Sequence, residues 1–241
     1  MSPARAAALL AEIELLPEKA KITAQQTMHV AGILVWAATV VWGGRTFSQP
    51  WLTASAHAQH LDGRHSLRIN SAMHRSLRWW PQFLCLHNGK RLVLGVVQNR
   101  IIIATDATGN GGIGIFIDAS RHIGLTGDEV RAIFHDAPLE DAHVFLHESF
   151  AVLVALRIFK QYLRDSSLHL ITDNPTTARM MRFLSQRDPA LHSYAESIFW
   201  LAEECNFRFT DVELVPGKFN ECADALSRQQ YARFYAILAT L

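Results

Sequence analysis

Four acidic residues stand where hydrophobic sequence gives way abruptly: Asp106 in IIIATDATGNGGIGIFI, Glu148 in HVFLHESFAVLVAL, Asp173 in SLHLITDN and Asp224 in PGKFNECADALSR. Aspartate is disfavoured in strands, and a lone carboxylate at the end of an apolar run is costly to desolvate unless something pairs with it. Asp106 therefore has two readings. It lies near the solvated mouth of a hairpin turn, or it is a rigidly held ligand for a metal or a substrate. Asp173 closes a strand-like run directly before a helical one. Glu148 and Asp224 fall in early helical turns, where acids are also ordinary because they complement the helix dipole.

Taken together the four say more. In an α/β sheet, ligands gather at the carboxyl ends of strands and at the helix starts that follow them. If the strands ending in Asp106 and Asp173 are parallel neighbours, the two carboxylates come within about a strand spacing of each other. Four carboxylates cannot crowd together ionised, because like charges raise one another's pKa. Hard divalent cations with oxygen ligands, two Mg²⁺ or in their place Mn²⁺, are the natural compensation. Such a pair, about 4 Å apart, clamps the attacking and leaving oxygens of an in-line phosphoryl displacement. No P-loop or dinucleotide fingerprint competes, and GNGGIG precedes a strand-like run, not a helix.

The elements that would position these residues can be read from periodicity. The first hundred residues are mostly helical: a helix over 3–16 opened by Ser2 and Pro3, then an apolar helix over 23–42 with a Thr23–Gln26 capping box and Gly43–Gly44 at its end. Its core, VAGILVWAATVVW, is shorter than the roughly 17–25 residues of a membrane span, so burial in protein is expected, with no membrane partner. Residues 48–70, rich in Ser, Ala and His, read as loop with short pieces. Residues 71–90 read as a helix kinked or split at Pro81. From Arg91 the texture turns β-branched. Strands are expected at RLVLGVV, RIIIATDA, GGIGIFID and HVFLH, then helix, strand (SLHLITDN), two helices, strand (FRFTDVELV) and one closing helix from Asn220. Strands first and alternation later predict an α/β mixed sheet flanked by helices over 91–241, preceded by a small mostly helical segment over 1–90.

Charge is distributed unevenly. Residues 1–100 carry 11 Lys/Arg against 4 Asp/Glu, whereas residues 101–241 carry 12 against 18. The basic excess, concentrated between Arg64 and Arg100, is either a solvated face or a phosphate-binding surface. Three scattered cysteines, Cys85, Cys205 and Cys222, fit a reducing compartment, and the N-terminus has no secretory pattern; an intracellular location, cytoplasm or nucleus, is expected.

ATDAT, the ES of FLHESFAVLVAL, LITDNPTTA and VPGKFNECADALSR resemble, in their order Asp, Glu, Asp, Asp, the motif set of type 1 ribonuclease H, most closely as it occurs in DIRS-type and gypsy-type retroelement reverse transcriptases. Upstream, QQTMHVAGILVWAATVVWGGRTF and SLRWWPQFLCLHNG resemble the thumb or connection region that precedes that domain. The resemblance implies a ribonuclease H-like fold, an endonuclease cleaving the RNA strand of RNA–DNA hybrids, and Asp106, Glu148, Asp173 and Asp224 as its metal ligands. It also implies hybrid contacts from Asn174 and Asn220, each of which can equally be a turn or a cap. Arg78, Arg91 and Arg100 would meet phosphates, and Trp79 and Trp80 would either stack on bases or pack in a core. The loop before Asp224 lacks the histidine of cellular enzymes, and no Y-x-D-D polymerase motif is present, so a polymerase palm and fingers would act in cis in a parent protein or in trans. The alternative reading is a catalytically weak or inactive nucleic-acid-binding remnant of such a polymerase.

Overall fold

A computed structural model describes residues 1–16, 20–87 and 99–240. The expected strand at RLVLGVV, and Arg91 with it, lies outside the described residues. The chain divides into two compact units: Met1–Leu94 with Ser185–Arg187, and Gly95–Leu184 with Asp188–Leu241.

The first unit is helical around a two-stranded ribbon. Helix α1 (Pro3–Glu14) carries Pro3 in its first turn, where a missing N–H has no intrahelical partner to lose. Strand β1 (Lys21–Thr23) leads into α2 (Ala24–Ala37), opened by the expected capping box: the Gln26 N–H donates to Thr23 Oγ1 and the Thr23 N–H to Gln26 Oε1. Helix α3 (Gly44–Ala58), strand β2 (Ser66–Arg68), antiparallel to β1, and helix α4 (Ser71–His87) complete it. Residues 48–58 are thus helical rather than loop. Phe47, Trp51, Ser55 and Ala58 recur on one buried face, but interspersed Ser, Thr and His dilute the apolar period that would have revealed it. Helix α4 is not split at Pro81. Trp80 is fully buried, and Trp79 is stacked between Phe47 and Phe83 with ring centroids 4.3 and 4.9 Å away. Both tryptophans are core residues, unavailable for stacking on bases.

The second unit is the α/β mixed sheet with flanking helices that the sequence predicts. Its elements are β3 (Arg100–Ala107), β4 (Ile113–Asp118), β5 (Arg121–Leu125), α5 (Gly127–Ile133), α6 (Val144–Ile158), β6 (Ser167–Thr172), α7 (Pro175–Phe183), α8 (Pro189–Cys205), β7 (Arg208–Leu214), a 3-10 turn at Gly217–Phe219, α9 (Glu221–Ser227) and α10 (Tyr231–Leu238). The strand order is β5-β4-β3-β6-β7. Strands β5, β4 and β3 pair antiparallel, and β3, β6 and β7 pair parallel. Ile101, Ile103, Ile115, Leu168 and Leu170 from the sheet, with Phe150, Leu153 and Phe199 from α6 and α8, form fully buried core. That burial removes the central strands from water and makes their ends rigid supports.

Two expectations are corrected here. HVFLH is not a strand: His143 stands just before α6 without a side-chain capping bond and the rest of the run forms its first turn, because a short apolar segment does not by itself distinguish a strand from the start of a buried helix. The closing helix is broken into α9 and α10 by Gln229, which adopts a left-handed backbone at φ 58°. Strand β5 and helix α5 are not anticipated by the sequence reading. No helix among the described residues is long and apolar enough to cross a membrane.

One glycine decides how α9 sits. A Cβ on Gly114 in β4 would come within 2.0 Å of the Ala223 carbonyl oxygen and 2.5 Å of the Ser227 nitrogen. Only a residue without a side chain lets the α9 backbone rest directly on the strand.

Candidate metal centre

Strands β3 and β6 run parallel, with Ala104 opposite Ile171 as their last paired residues. Asp106 and Asp173 each lie two residues further on, so the register brings both to the same edge of the sheet. Glu148 reaches this edge from α6, in its second turn. One carboxylate oxygen from each of Asp106, Glu148 and Asp173 lies within 4.8 Å of the others. Asp106 and Glu148 are buried, at 5% and 6% exposure, and Asp173 is partly exposed.

This clustering has an electrostatic cost that the protein only partly offsets. Burial pushes Glu148 up to about 9; the charges of Asp106 and Asp173 add to the rise, and the Ala107 backbone amide pulls it down. Burial pushes Asp106 up to about 6, opposed by a hydrogen bond from Ser227, while Asp173 and Asp224 raise it and Arg228 lowers it. Glu148 Oε2 is buried without a protein hydrogen-bond partner. A buried carboxylate oxygen of that kind is normally matched by a donor or a cation.

The fourth acid behaves differently. Asp224, in α9, is not among the three converging carboxylates. Its Oδ1 accepts from Arg228 Nε and its Oδ2 from Arg233 Nη1, both at 2.6 Å. Partial burial pushes Asp224 up, but the two arginines outweigh it and hold the group below the usual carboxylate range. Its charge is nevertheless felt at Asp106. The expected set of four is therefore a convergent three with Asp224 beside them, turned to arginine.

The expected substrate contacts fall in several places. Asn174 caps α7, its Oδ1 accepting from the N–H groups of Thr176 and Thr177. Asn220 is buried at 2% exposure and donates through Nδ2 to the Thr105 carbonyl oxygen at 2.9 Å, tying the start of α9 to β3. Arg100 opens β3, at the end of the strand opposite Asp106 and about 20 Å from it at the usual strand rise. There its guanidinium meets His169 Nδ1 at 3.0 Å, so Arg100 does not line the carboxylate cluster. Arg78 is exposed on α4 in the first unit.

Ser227 is the neighbour the sequence reading left without a role. It is 3% exposed, and its hydroxyl donates to Asp106 Oδ2. A polar cleft of about 420 Å³ opens beside it, with Thr108, Asn110, Thr126, Arg228 and Gln229 in its walls. The only signal for Ser227 in the sequence was its place in the quoted run CADALSR, three residues after Asp224.

Three carboxylate oxygens with no nitrogen or sulfur donor among them make a hard donor set. It fits Mg²⁺ or Mn²⁺ better than the softer transition metals, and the orphaned Glu148 oxygen is consistent with such an ion.

Neither a protein-family model nor a curated protein sequence matches the chain. Among solved structures it is similar to RNase H1 from the halophilic archaeon Halobacterium salinarum NRC-1, with 18% identity, 56% of this chain and 98% of that one covered, and a TM-score of 0.42. It is also similar to LC11-RNase H1, isolated from compost by a metagenomic approach, with 22% identity, 54% and 93% coverage and a TM-score of 0.39. The same enzyme in complex with an RNA/DNA hybrid gives 21% identity, 52% and 92% coverage and a TM-score of 0.38.

Proposed function

We propose that the second unit is a divalent-metal-dependent endonuclease that cleaves the RNA strand of RNA–DNA hybrids. The observation that carries this reading is the convergence of Asp106, Glu148 and Asp173 at one strand edge, with two of the three buried and displaced toward protonation. The order and wording of the four acidic motifs support the ribonuclease H class. The same motifs, with the thumb-like run upstream, support an origin in a DIRS-type or gypsy-type reverse transcriptase, with the polymerase supplied in cis or in trans.

Within this reading, Asp106 and Asp173 would hold the cation from the sheet side and Glu148 from α6. Asp224, paired with Arg228 and Arg233, would act on the ion through its charge from beside the three. When bound, Mg²⁺ or Mn²⁺, as one ion or a pair, lowers the pKa of water and offsets charge on the phosphodiester. The burial of Asp106 and Glu148 keeps bulk water from screening that interaction. The 2′-hydroxyls of the bound strand would mark it as RNA.

The test is cleavage of an end-labelled RNA–DNA hybrid by the purified chain in Mg²⁺, in Mn²⁺ and in EDTA, beside Asp173→Asn. RNA-strand cutting that needs metal and disappears in the variant supports the nuclease. Hybrid binding by both proteins, with cutting by neither in either metal, replaces it with the binding remnant.

A further inference from the structure

We propose that Ser227 is a positioning residue that decides which oxygen of Asp106 is offered to the carboxylate cluster. This rests on the reading of Asp106, Glu148 and Asp173 as a cation centre.

A carboxylate on a strand end can rotate about its last bond and present either oxygen, or both, to an ion. In this protein one oxygen already accepts a hydrogen bond. The Ser227 hydroxyl donates to Asp106 Oδ2; that bond sets the rotation of the carboxylate and biases Oδ1 to be the oxygen given to an ion shared with Glu148 and Asp173. Ser227 is not free to drift from this role. It is buried, it is the last residue of α9, and its hydroxyl oxygen also lies 2.9 Å from the Asp224 carbonyl oxygen of the preceding turn.

The reach from α9 to β3 is built into the sheet register. Gly114 is the residue directly opposite Asp106 on β4, and the side chain it lacks would occupy the space next to the Ser227 nitrogen. Opposed residues in an antiparallel pair point to the same face of the sheet. The absence of a side chain opposite Asp106 is therefore what admits Ser227 to hydrogen-bonding distance. At the other end of α9, Asn220 fastens the helix to Thr105, the residue before Asp106. Two hydrogen bonds thus hold α9 against two consecutive residues of β3, and only the one from Ser227 touches a carboxylate.

The test is Mn²⁺ binding to the full chain, read by the electron paramagnetic resonance signal of free Mn²⁺, for wild type, Ser227→Ala and Ser227→Thr, with thermal unfolding of each measured in EDTA. Loss of the hydroxyl is expected to weaken Mn²⁺ about tenfold, the usual scale for removing a partner of a metal ligand, with little change in melting temperature. Ser227→Thr, which keeps the hydroxyl, is expected to bind close to wild type. An alanine variant that melts lower yet binds Mn²⁺ as wild type does would reduce Ser227 to a packing residue and overturn the proposal. If the alanine variant does not fold, the threonine variant decides, and tenfold weaker binding by a folded threonine variant overturns it. Wild type that binds no Mn²⁺ removes the cation centre and this proposal with it. Wild type that binds Mn²⁺ but cuts no hybrid removes only the nuclease, and the comparison among the three proteins still stands.

Discussion

Asp106, near the end of β3, and Asp173, the first residue after β6, each lie two residues beyond the last paired rung, Ala104 opposite Ile171. The pairing of the backbones, set by the register of β3 and β6, brings these two acids to one edge. Replacing either by asparagine keeps the shape and removes the charge. Asp106→Asn and Asp173→Asn are each expected to abolish RNA cutting, and with EDTA present, so that no cation contributes, to leave hybrid affinity unchanged or raised, since the loss of an acid then removes only repulsion toward phosphate. Cleavage and fluorescence-anisotropy titrations on the same preparations check this.

The metal-free protein is expected to lose stability as pH rises. Glu148 is raised from 4.5 to about 9 and Asp106 from 3.8 to about 6, so between those limits the folded state keeps protons that the unfolded chain releases. This contribution is fully present below about pH 4 and is lost as pH climbs through 6 and on toward 9. Scanning calorimetry in EDTA should show a melting temperature that falls over this range. Glu148→Gln should flatten the fall and melt higher than wild type at pH 8, while Mn²⁺ should raise wild type more at pH 8 than at pH 5.

Gly114→Ala is expected to be among the most damaging single-methyl additions in the second unit. The new Cβ would meet backbone atoms of Ala223 and Ser227, which can yield only if α9 lifts from the sheet. Overpacking against backbone should cost about 3 kcal/mol, or roughly 10 °C in melting temperature for a domain of this size. Gly109→Ala, with no atom within 4 Å of its Cβ, should be tolerated. Thermal unfolding of the two variants side by side is the measurement.

The two asparagines should separate by their partners. Asn174→Ala removes a helix cap and is expected to cost about 1 kcal/mol, with Asn174→Asp close to wild type. Asn220→Ala leaves the Thr105 carbonyl without its bond in a buried site, at about 1–3 kcal/mol. Urea denaturation measures both, and a loss of hybrid affinity without a loss of stability in either would point to direct substrate contact instead.

Much of this is legible in the sequence. RIIIATDA, SLHLITDN and FRFTDVELV announce strands because β-branched runs stop at polar residues, and the structure has strands at Arg100–Ala107, Ser167–Thr172 and Arg208–Leu214. The Thr23–Gln26 capping box was readable because both partners lie within one turn. By contrast α3, HVFLH and the break at Gln229 are not legible there. In each, local composition is ambiguous and packing elsewhere makes the choice: Trp51 is helical because its face is buried.

Residue types and spacing establish the chemistry this protein has to work with: four acids, their order along the chain, and the apolar runs that carry them. Tertiary structure decided which of them meet. Parallel pairing of β3 with β6 joined Asp106 to Asp173, and α6 brought Glu148 to them. The glycine opposite Asp106 let Ser227 reach it, while Arg228 and Arg233 drew Asp224 aside. Residue type and periodicity are local properties that a sequence displays directly. Strand neighbours, register and the approach of one backbone to another are settled by the burial of the whole unit, and no short stretch of sequence contains them.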